Sequence, residues 1–140
     1  MRSTLAIVVL IFAFSGLGNV RAATDESMIS KRDAVRLIIA SLPPKARKLP
    51  QLGLDVRLDE QNRRYYTVDV TWAGLPDGSA VYGSYYVDRE TGDVWNAVVE
   101  CTQIDTAALR KLQAAIRTRI GLSESDYQKQ KQKQKGPLCP

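Results

Sequence analysis

The sequence contains no histidine, and this absence removes several kinds of catalytic and metal site. A Ser-His-Asp triad and a Cys-His pair both need an imidazole base, and many zinc sites use imidazole as a ligand. Phosphate-cradling glycine loops are also missing, because Gly74, Gly78 and Gly83 fall in predicted turns and a predicted strand. No S-x-x-K motif is present to favour a Ser/Lys dyad. We therefore expect no enzymatic activity, no cofactor and no metal site.

Paired carboxylates remain as one route to acid–base catalysis. The candidates Asp88, Glu90 and Asp93 crowd one predicted hairpin turn. We expect water to solvate this turn and to keep the pKa values of the three carboxyl groups ordinary. They therefore leave the expectation of a non-catalytic protein unchanged.

Cysteine is scarce, with only Cys101 and Cys139 in the chain. An even count in an exported protein is typical of a disulfide. The bridge would close a loop of nearly forty residues, which corresponds to about 4 kcal/mol of stability in the chain-entropy treatment. The alternative, two free thiols, is disfavoured because the chain has neither CxxC spacing nor histidine.

The N-terminus has the three parts of a secretory signal. Arg2 supplies the charged lead, residues 5–14 are apolar, and small or turn-forming residues follow. Val20 and Ala22 suit the −3 and −1 sites, so we predict cleavage after Ala22. A membrane anchor is the alternative, but the apolar run falls short of the ~20 residues that a bilayer requires. Residues 1–22 are thus predicted to be a signal peptide, and the mature protein to be periplasmic or secreted, with no transmembrane segment.

The formal charge of +5 is unevenly distributed. Arg2 and Arg21 leave with the signal peptide, and four lysines lie in the Lys/Gln-rich tail, residues 129–140. Residues 55–105 hold ten acidic side chains and only four arginines. A basic tail can contact nucleic acid or anionic lipid, but no arginine or aromatic residue is interleaved with these lysines. We expect a solvated, flexible tail ending in the disulfide-bonded Cys139, and no nucleic-acid partner.

Hydrophobic periodicity predicts one α+β domain over residues 23–128. Ser30 and Asp33 form a capping-box pattern at the start of a helix that two prolines end. A second helix runs from about residue 105 to Gly121. Between the helices, alternation with period two predicts four strands, over residues 52–58, 65–72, 79–88 and 93–101. Short hairpin links make the sheet an antiparallel meander, with the helices packed on one face.

The strand pattern also predicts which side chains face the helices. Tyr66, Val68, Val70 and Trp72 would lie inside, together with Val81, Tyr85 and Val87 from the next strand. The outward positions would be Tyr65, Thr67, Asp69, Thr71, Tyr82, Ser84 and Tyr86. Tyrosines mixed with small polar side chains are typical of binding patches, although Tyr and Thr also favour strands for purely structural reasons.

Residues 87–95, with the letters V-D-R-E-T-G-D-V-W, resemble the strand–turn–strand signature of PepSY-type domains. The helix and strands over about residues 30–97 match the element order of that module. The resemblance implies a small exported bacterial protein that inhibits or regulates envelope peptidases, without catalytic residues. Small exported inhibitors and immunity proteins against wall-degrading toxins are similar to this chain in size and layout as well.

These observations favour a non-enzymatic protein that binds another protein, such as a basic envelope hydrolase or toxin. It would inhibit an envelope hydrolase or peptidase, or act as an immunity protein against a secreted wall-degrading toxin. The alternative is a structural or sensor module of the envelope that inhibits nothing. The residues predicted to contact the partner are Tyr65, Asp69, Leu75, Pro76, Tyr82 and Tyr86, where Leu75 and Pro76 form a hairpin tip suited to a cleft.

Overall fold

A computed structural model of the chain describes residues 27–75, 78–98 and 100–137. The predicted signal peptide (residues 1–22), Pro76 and Cys139 lie outside these residues. The cleavage site and the disulfide therefore stay predictions.

The first helix, α1, spans Lys31–Ser41 and begins as the capping-box pattern predicts. The Ser30 hydroxyl oxygen accepts from the Asp33 backbone nitrogen, and the Asp33 carboxylate accepts from the Ser30 backbone nitrogen. Three apolar side chains of its inner face, Ala34, Leu37 and Ile38, are fully buried. A short 3-10 turn at Ala46–Lys48 leads from α1 to the sheet.

The sheet is an antiparallel meander, which confirms the predicted α+β class. Within the described residues its five strands are β1 (Gly53–Leu58), β2 (Tyr65–Leu75), β3 (Gly78–Asp88), β4 (Val94–Asn96) and β5 (Thr102–Gln103), in the order β1-β2-β3-β4-β5. The predicted fourth strand, residues 93–101, is in fact two short strands. The Asn96 side-chain oxygen accepts from the Val98 backbone nitrogen, and Glu100 and Cys101 both have positive φ. This turn ends β4 early and starts β5.

Two further helices follow the sheet, α2 (Ala107–Ile120) and α3 (Glu124–Lys133). Gly121 ends α2 at φ 78°, in the left-handed region that glycine tolerates. Leu109 and Ile116 of α2 join one hydrophobic core with α1 and the inner face of the sheet. The inner-face residues in this core are Tyr66, Val68, Val70, Tyr85, Val87 and Val94, so the predicted core face is correct over most of its length.

A β-bulge in β3 changes the predicted face of one residue. Val70 pairs with Gly83 and Thr71 pairs with Val81, so Tyr82 has no partner on β2. Directly paired residues share a face, which places Val81 beside Thr71 on the side away from the helices. Val81 is accordingly 65% exposed, and the prediction that it faces the core is wrong.

Candidate protein-binding surface

The sheet face away from α1, here called the outer face, has two unlike ends. At one end, called the closed end, Tyr65 is 2% and Trp95 6% exposed. Their rings meet edge to face, with centroids 5.7 Å apart. At the other end, called the open end, Thr71, Val81 and Tyr82 lie beside the β2–β3 hairpin, and Tyr82 is 40% exposed. The outer face is therefore accessible at one end only.

The closed end is covered by the residues after α3, which together with α3 are here called the C-terminal strap, residues 124–137. Pro137 is buried, and a Cβ atom placed on Gly136 would lie 3.7 Å from the Trp95 indole nitrogen. Gln134 also bonds with the Tyr65 hydroxyl. The expectation of a flexible Lys/Gln tail is wrong for the described part, because α3 continues to Lys133 and the segment beyond it packs on aromatic rings. The tail lysines are exposed to solvent, as expected.

Tyr65 lies on the outer face as predicted, but the expectation that it is exposed is wrong. It packs against Trp95 and, edge to face, against Tyr86, with centroids 6.2 Å apart. Burial is also the main cause that raises the pKa of the Tyr65 phenol above its ordinary value. A partner cannot reach this side chain while the strap is in place.

The strap is held by the hairpin that carries the V-D-R-E-T-G-D-V-W letters. The Asp88 side chain is fully buried, and its Oδ2 accepts from Arg64 Nε at 2.8 Å and from Gln134 Nε2 at 2.6 Å. Its Oδ1 accepts from the backbone nitrogens of Glu90 and Thr91. Burial raises the pKa of the Asp88 carboxyl above its ordinary value, against the opposing effect of Arg64 and these hydrogen bonds. The expectation that water keeps this carboxyl ordinary is therefore wrong.

The same hairpin also bonds to α2 and α3. Gln113 Nε2 donates to the Gly92 carbonyl at 2.9 Å, and Arg117 Nη1 donates to the Thr91 carbonyl at 3.2 Å. The Tyr127 hydroxyl donates to Asp93 Oδ1 at 3.0 Å. Burial, followed by the nearby Asp93 charge, raises the pKa of Tyr127 to about 12. The hairpin of residues 87–95 thus joins the sheet to α2 and α3. This structural role accounts for the burial of Asp88 and Asp93.

Charged side chains occupy the middle of the outer face. Asp69 accepts from Ser84 Oγ at 2.6 Å and forms an ion pair with Arg57. Arg57 also lies 3.2 Å from Asp55. Two carboxylates thus share one arginine, leaving a net negative cluster beside the open end. Asp69 is partly accessible, as predicted, but its carboxylate is already held by side chains of the same sheet.

The remaining predicted contact residues do not all lie at the open end. Tyr82 is in the bulge, and Tyr86 is half-buried between the two ends. Leu75 is the last residue of β2 and pairs with Gly78, while Pro76 lies outside the described residues. Sequence reasoning missed Val81 as an outer-face residue. The signal was Gly83, because a glycine inside a strand often marks a bulge.

Cys101 lies beside the strap, since its Sγ is 3.8 Å from the Pro137 carbonyl oxygen. The chain two residues before Cys139 therefore runs next to Cys101. This placement favours the predicted bridge without testing it, because Cys139 is outside the described residues.

In residues 27–75, 78–98 and 100–137, no group of three or more Cys, Asp or Glu side chains is placed to hold a metal ion. None of the helices in this part of the chain is long and apolar enough to cross a membrane.

Comparison with known proteins gives one structural likeness. No protein-family model matches the chain, and no curated protein matches it, so PepSY membership stays a prediction. A chain from the structure of a type VI secretion system effector–immunity complex from Pseudomonas protegens matches with a TM-score of 0.56 and 24% identity. The match covers 76% of this chain and 89% of that chain. At this identity the likeness shows a shared fold.

Proposed function

We propose that this chain is an exported immunity-type protein that binds a secreted toxin and neutralises it, with the open end of the outer face as the contact. The observation that carries the proposal is the adjacent exposure of Val81 and Tyr82 on a bulged strand. The similar fold of a chain from an effector–immunity complex supports the choice of partner class.

The open end has the composition of an interface centre. Tyr82 offers a large amphipathic ring at small entropic cost, and Val81 adds apolar area beside it. Bulges commonly re-aim side chains at functional sites. Here the bulge lies where two neighbouring side chains, Val81 at 65% and Tyr82 at 40%, are exposed together.

The charge of the sheet region suggests the charge of the partner. Residues 55–105 carry ten acids and four arginines, and the Asp55–Arg57–Asp69 cluster lies next to the open end. Such a surface accelerates encounter with a basic protein in a salt-dependent way. We propose a basic wall-degrading toxin. The endogenous-peptidase alternative uses the same surface and differs only in the partner.

Affinity capture with matched baits tests the proposal. Wild-type protein and the Val81→Asp variant would be immobilised and exposed to secreted and periplasmic extracts, and retained proteins identified by mass spectrometry. We expect a wall-degrading toxin on the wild-type bait and its loss from Val81→Asp. The purified toxin should then lose hydrolytic activity at one equivalent of wild-type protein. Undiminished hydrolysis at saturation would overturn the proposal, and a retained endogenous peptidase would favour the alternative.

Export is part of the same proposal. Intact mass of protein recovered from the periplasm should begin at Ala23. Full-length chains held in the membrane would contradict it.

A further inference from the structure

Within the described part of the chain the sheet has two edge strands, β1 and β5, which differ in length. β5 has only two residues, and a short edge offers little backbone for pairing with another chain. β1 has six residues, Gly53–Leu58, and all six pair with β2 without a register shift. It contains neither proline nor lysine, two residues that commonly protect an edge strand. β1 is therefore the edge better suited to pairing.

The backbone groups of β1 that point away from β2 belong to Leu54, Val56 and Leu58. The Asp59 backbone nitrogen donates to the Tyr65 carbonyl at 3.0 Å, in continuation of the β1–β2 register. Because the backbone groups of successive strand residues point to opposite edges, every second residue counted back from Asp59 faces β2, and the others face outward. No strand of the described residues pairs with this outward edge.

The side chains of β1 alternate between the two faces of the sheet. Leu54, Val56 and Leu58 are partly buried and pack against the core, so some of their apolar area lies beside the free edge. Asp55 and Arg57 lie on the outer face, with side chains 64% and 59% exposed. The edge thus combines outward-facing backbone groups, apolar area and two exposed opposite charges two residues apart.

We propose that two copies of this chain form a dimer by antiparallel pairing of their β1 strands, with Val56 of one copy opposite Val56 of the other. In this register Asp55 of each copy lies opposite Arg57 of the other on the outer face, and Leu54 lies opposite Leu58 on the inner face. Opposite charges directly across an antiparallel pair are stabilising. The contact is isologous, because both copies contribute the same residues.

Charge selects this register over its two nearest alternatives. A shift by two residues in either direction keeps the same backbone groups opposed. One shift places Asp55 opposite Asp55 of the other copy, and the other shift places Arg57 opposite Arg57. Like charges directly opposite one another are destabilising, so the charges of β1 favour the register centred on Val56. The proposal is independent of toxin binding, because the open end lies at the β2–β3 hairpin and not on this edge.

Sedimentation equilibrium of the mature chain measures the association. An interface limited to one edge strand belongs to the small, transient class, so we expect a Kd on the order of 100 µM. Concentrations from about 10 µM to about 1 mM bracket that value. A chain that stays monomeric at the upper concentration would overturn the proposal.

Rapid amide hydrogen exchange at the two concentrations tests whether the edge is the contact. The amides of Leu54, Val56 and Leu58 should exchange freely in the dilute protein and become protected in the concentrated protein. The amides of Asp55 and Arg57 should be protected in both, because they already face β2. A dimer in which the first three amides stay unprotected would show that another surface associates, and would also overturn the proposal.

Two charge variants and their mixture test the register. Asp55→Arg and Arg57→Asp each place like charges opposite one another at two symmetry-related positions, so each alone should dimerise at least about tenfold more weakly than wild type. In an equimolar mixture the heterodimer again has opposite charges at both positions, and its Kd should return to near that of wild type.

This recovery separates charge pairing from a folding defect, which mixing would not repair. Asp105→Arg is the matched control, because it reverses an equally exposed acid, with a side chain 65% exposed, near the other edge of the sheet. It should leave the Kd of the dimer unchanged. A mixture that associates no more tightly than either variant alone would overturn the proposed pairing.

Discussion

The two ends of the outer face use similar aromatic side chains for different purposes. At the closed end Tyr65 and Trp95 are buried under the C-terminal strap, while at the open end Tyr82 stands in solvent beside Val81. Both ends belong to the same sheet, with Tyr65 in β2, Tyr82 in β3 and Trp95 in β4. The face on which an aromatic residue lies therefore does not decide whether it is available for binding. What covers the face decides it.

Truncating one aromatic residue at each end tests whether the two ends differ in their contribution to stability. Trp95→Ala should lower the free energy of unfolding by about 3–5 kcal/mol, because it empties a packed aromatic site. Tyr82→Ala should change it by about 0.5 kcal/mol or less, as expected of an exposed position. Urea denaturation of both variants measures the contrast. Equal losses would show that the two ends are not distinct.

The predicted Cys101–Cys139 bridge should fasten the strap. Removing it with Cys139→Ser should lower the free energy of unfolding by about 4 kcal/mol in the chain-entropy treatment. Non-reducing peptide mapping first establishes whether the bridge exists. Two alkylatable thiols in the native, unreduced protein would exclude the bridge and leave the strap held by its noncovalent contacts, such as those with Asp88 and Asp93.

The Tyr127 hydroxyl is the hydrogen-bond donor from α3 to Asp93. Tyr127→Phe leaves a buried carboxylate oxygen without its donor, so we expect a loss of about 1–3 kcal/mol in the free energy of unfolding. Tyr86→Phe, which removes a hydroxyl between the two ends, serves as the matched control and should cost about 0.5 kcal/mol or less. Thermal unfolding of the two variants in the same buffer compares their losses of stability. A Tyr127→Phe protein as stable as Tyr86→Phe would mean that this bond does not fasten α3.

The smallest expected effect is a pH dependence at the closed end. Burial raises the pKa of Asp88 in the folded state above its ordinary 3.8, so the native protein binds this proton more readily than the unfolded chain. The stability that comes from this group is complete below pH 3.8 and is lost as pH rises through the folded pKa. The stability of wild type relative to Asp88→Asn should therefore increase as pH falls from 7 towards 4. A stability difference between wild type and Asp88→Asn that does not change with pH would contradict a raised pKa of Asp88 in the folded state.

Much of the fold was predictable because it depends on local patterns. The Ser30 capping box, the alternation in β2 and the glycine after α2 each depend on residues within a few positions of one another. They predicted α1, α2, the meander and most of the inner face, but not α3. The division of the last strand was missed, because it depends on two residues with positive φ, Glu100 and Cys101, that are not glycine.

The candidate site was predictable only in part. Alternation placed Tyr65, Tyr82 and Tyr86 on one face, but their different exposure comes from the strap, which is distant in sequence. The strap's polar Lys/Gln composition favours solvent, whereas its attachment depends on single contacts such as Gln134 with Asp88 and the burial of Pro137. Val81 was misplaced because one bulge residue reverses the alternation on one side of it.

The most direct test of the proposed binding surface is calorimetric titration of the captured toxin with wild type and Tyr82→Ala. Ile39→Ala is the control, because Ile39 on α1 is 39% exposed, as accessible as Tyr82 at 40%, and lies on the other side of the sheet. A central interface anchor contributes about 2 kcal/mol or more, so Tyr82→Ala should raise Kd about thirtyfold while its melting temperature stays near that of wild type. Ile39→Ala should leave Kd unchanged. An unchanged Kd for Tyr82→Ala would contradict the assignment of the open end as the binding surface.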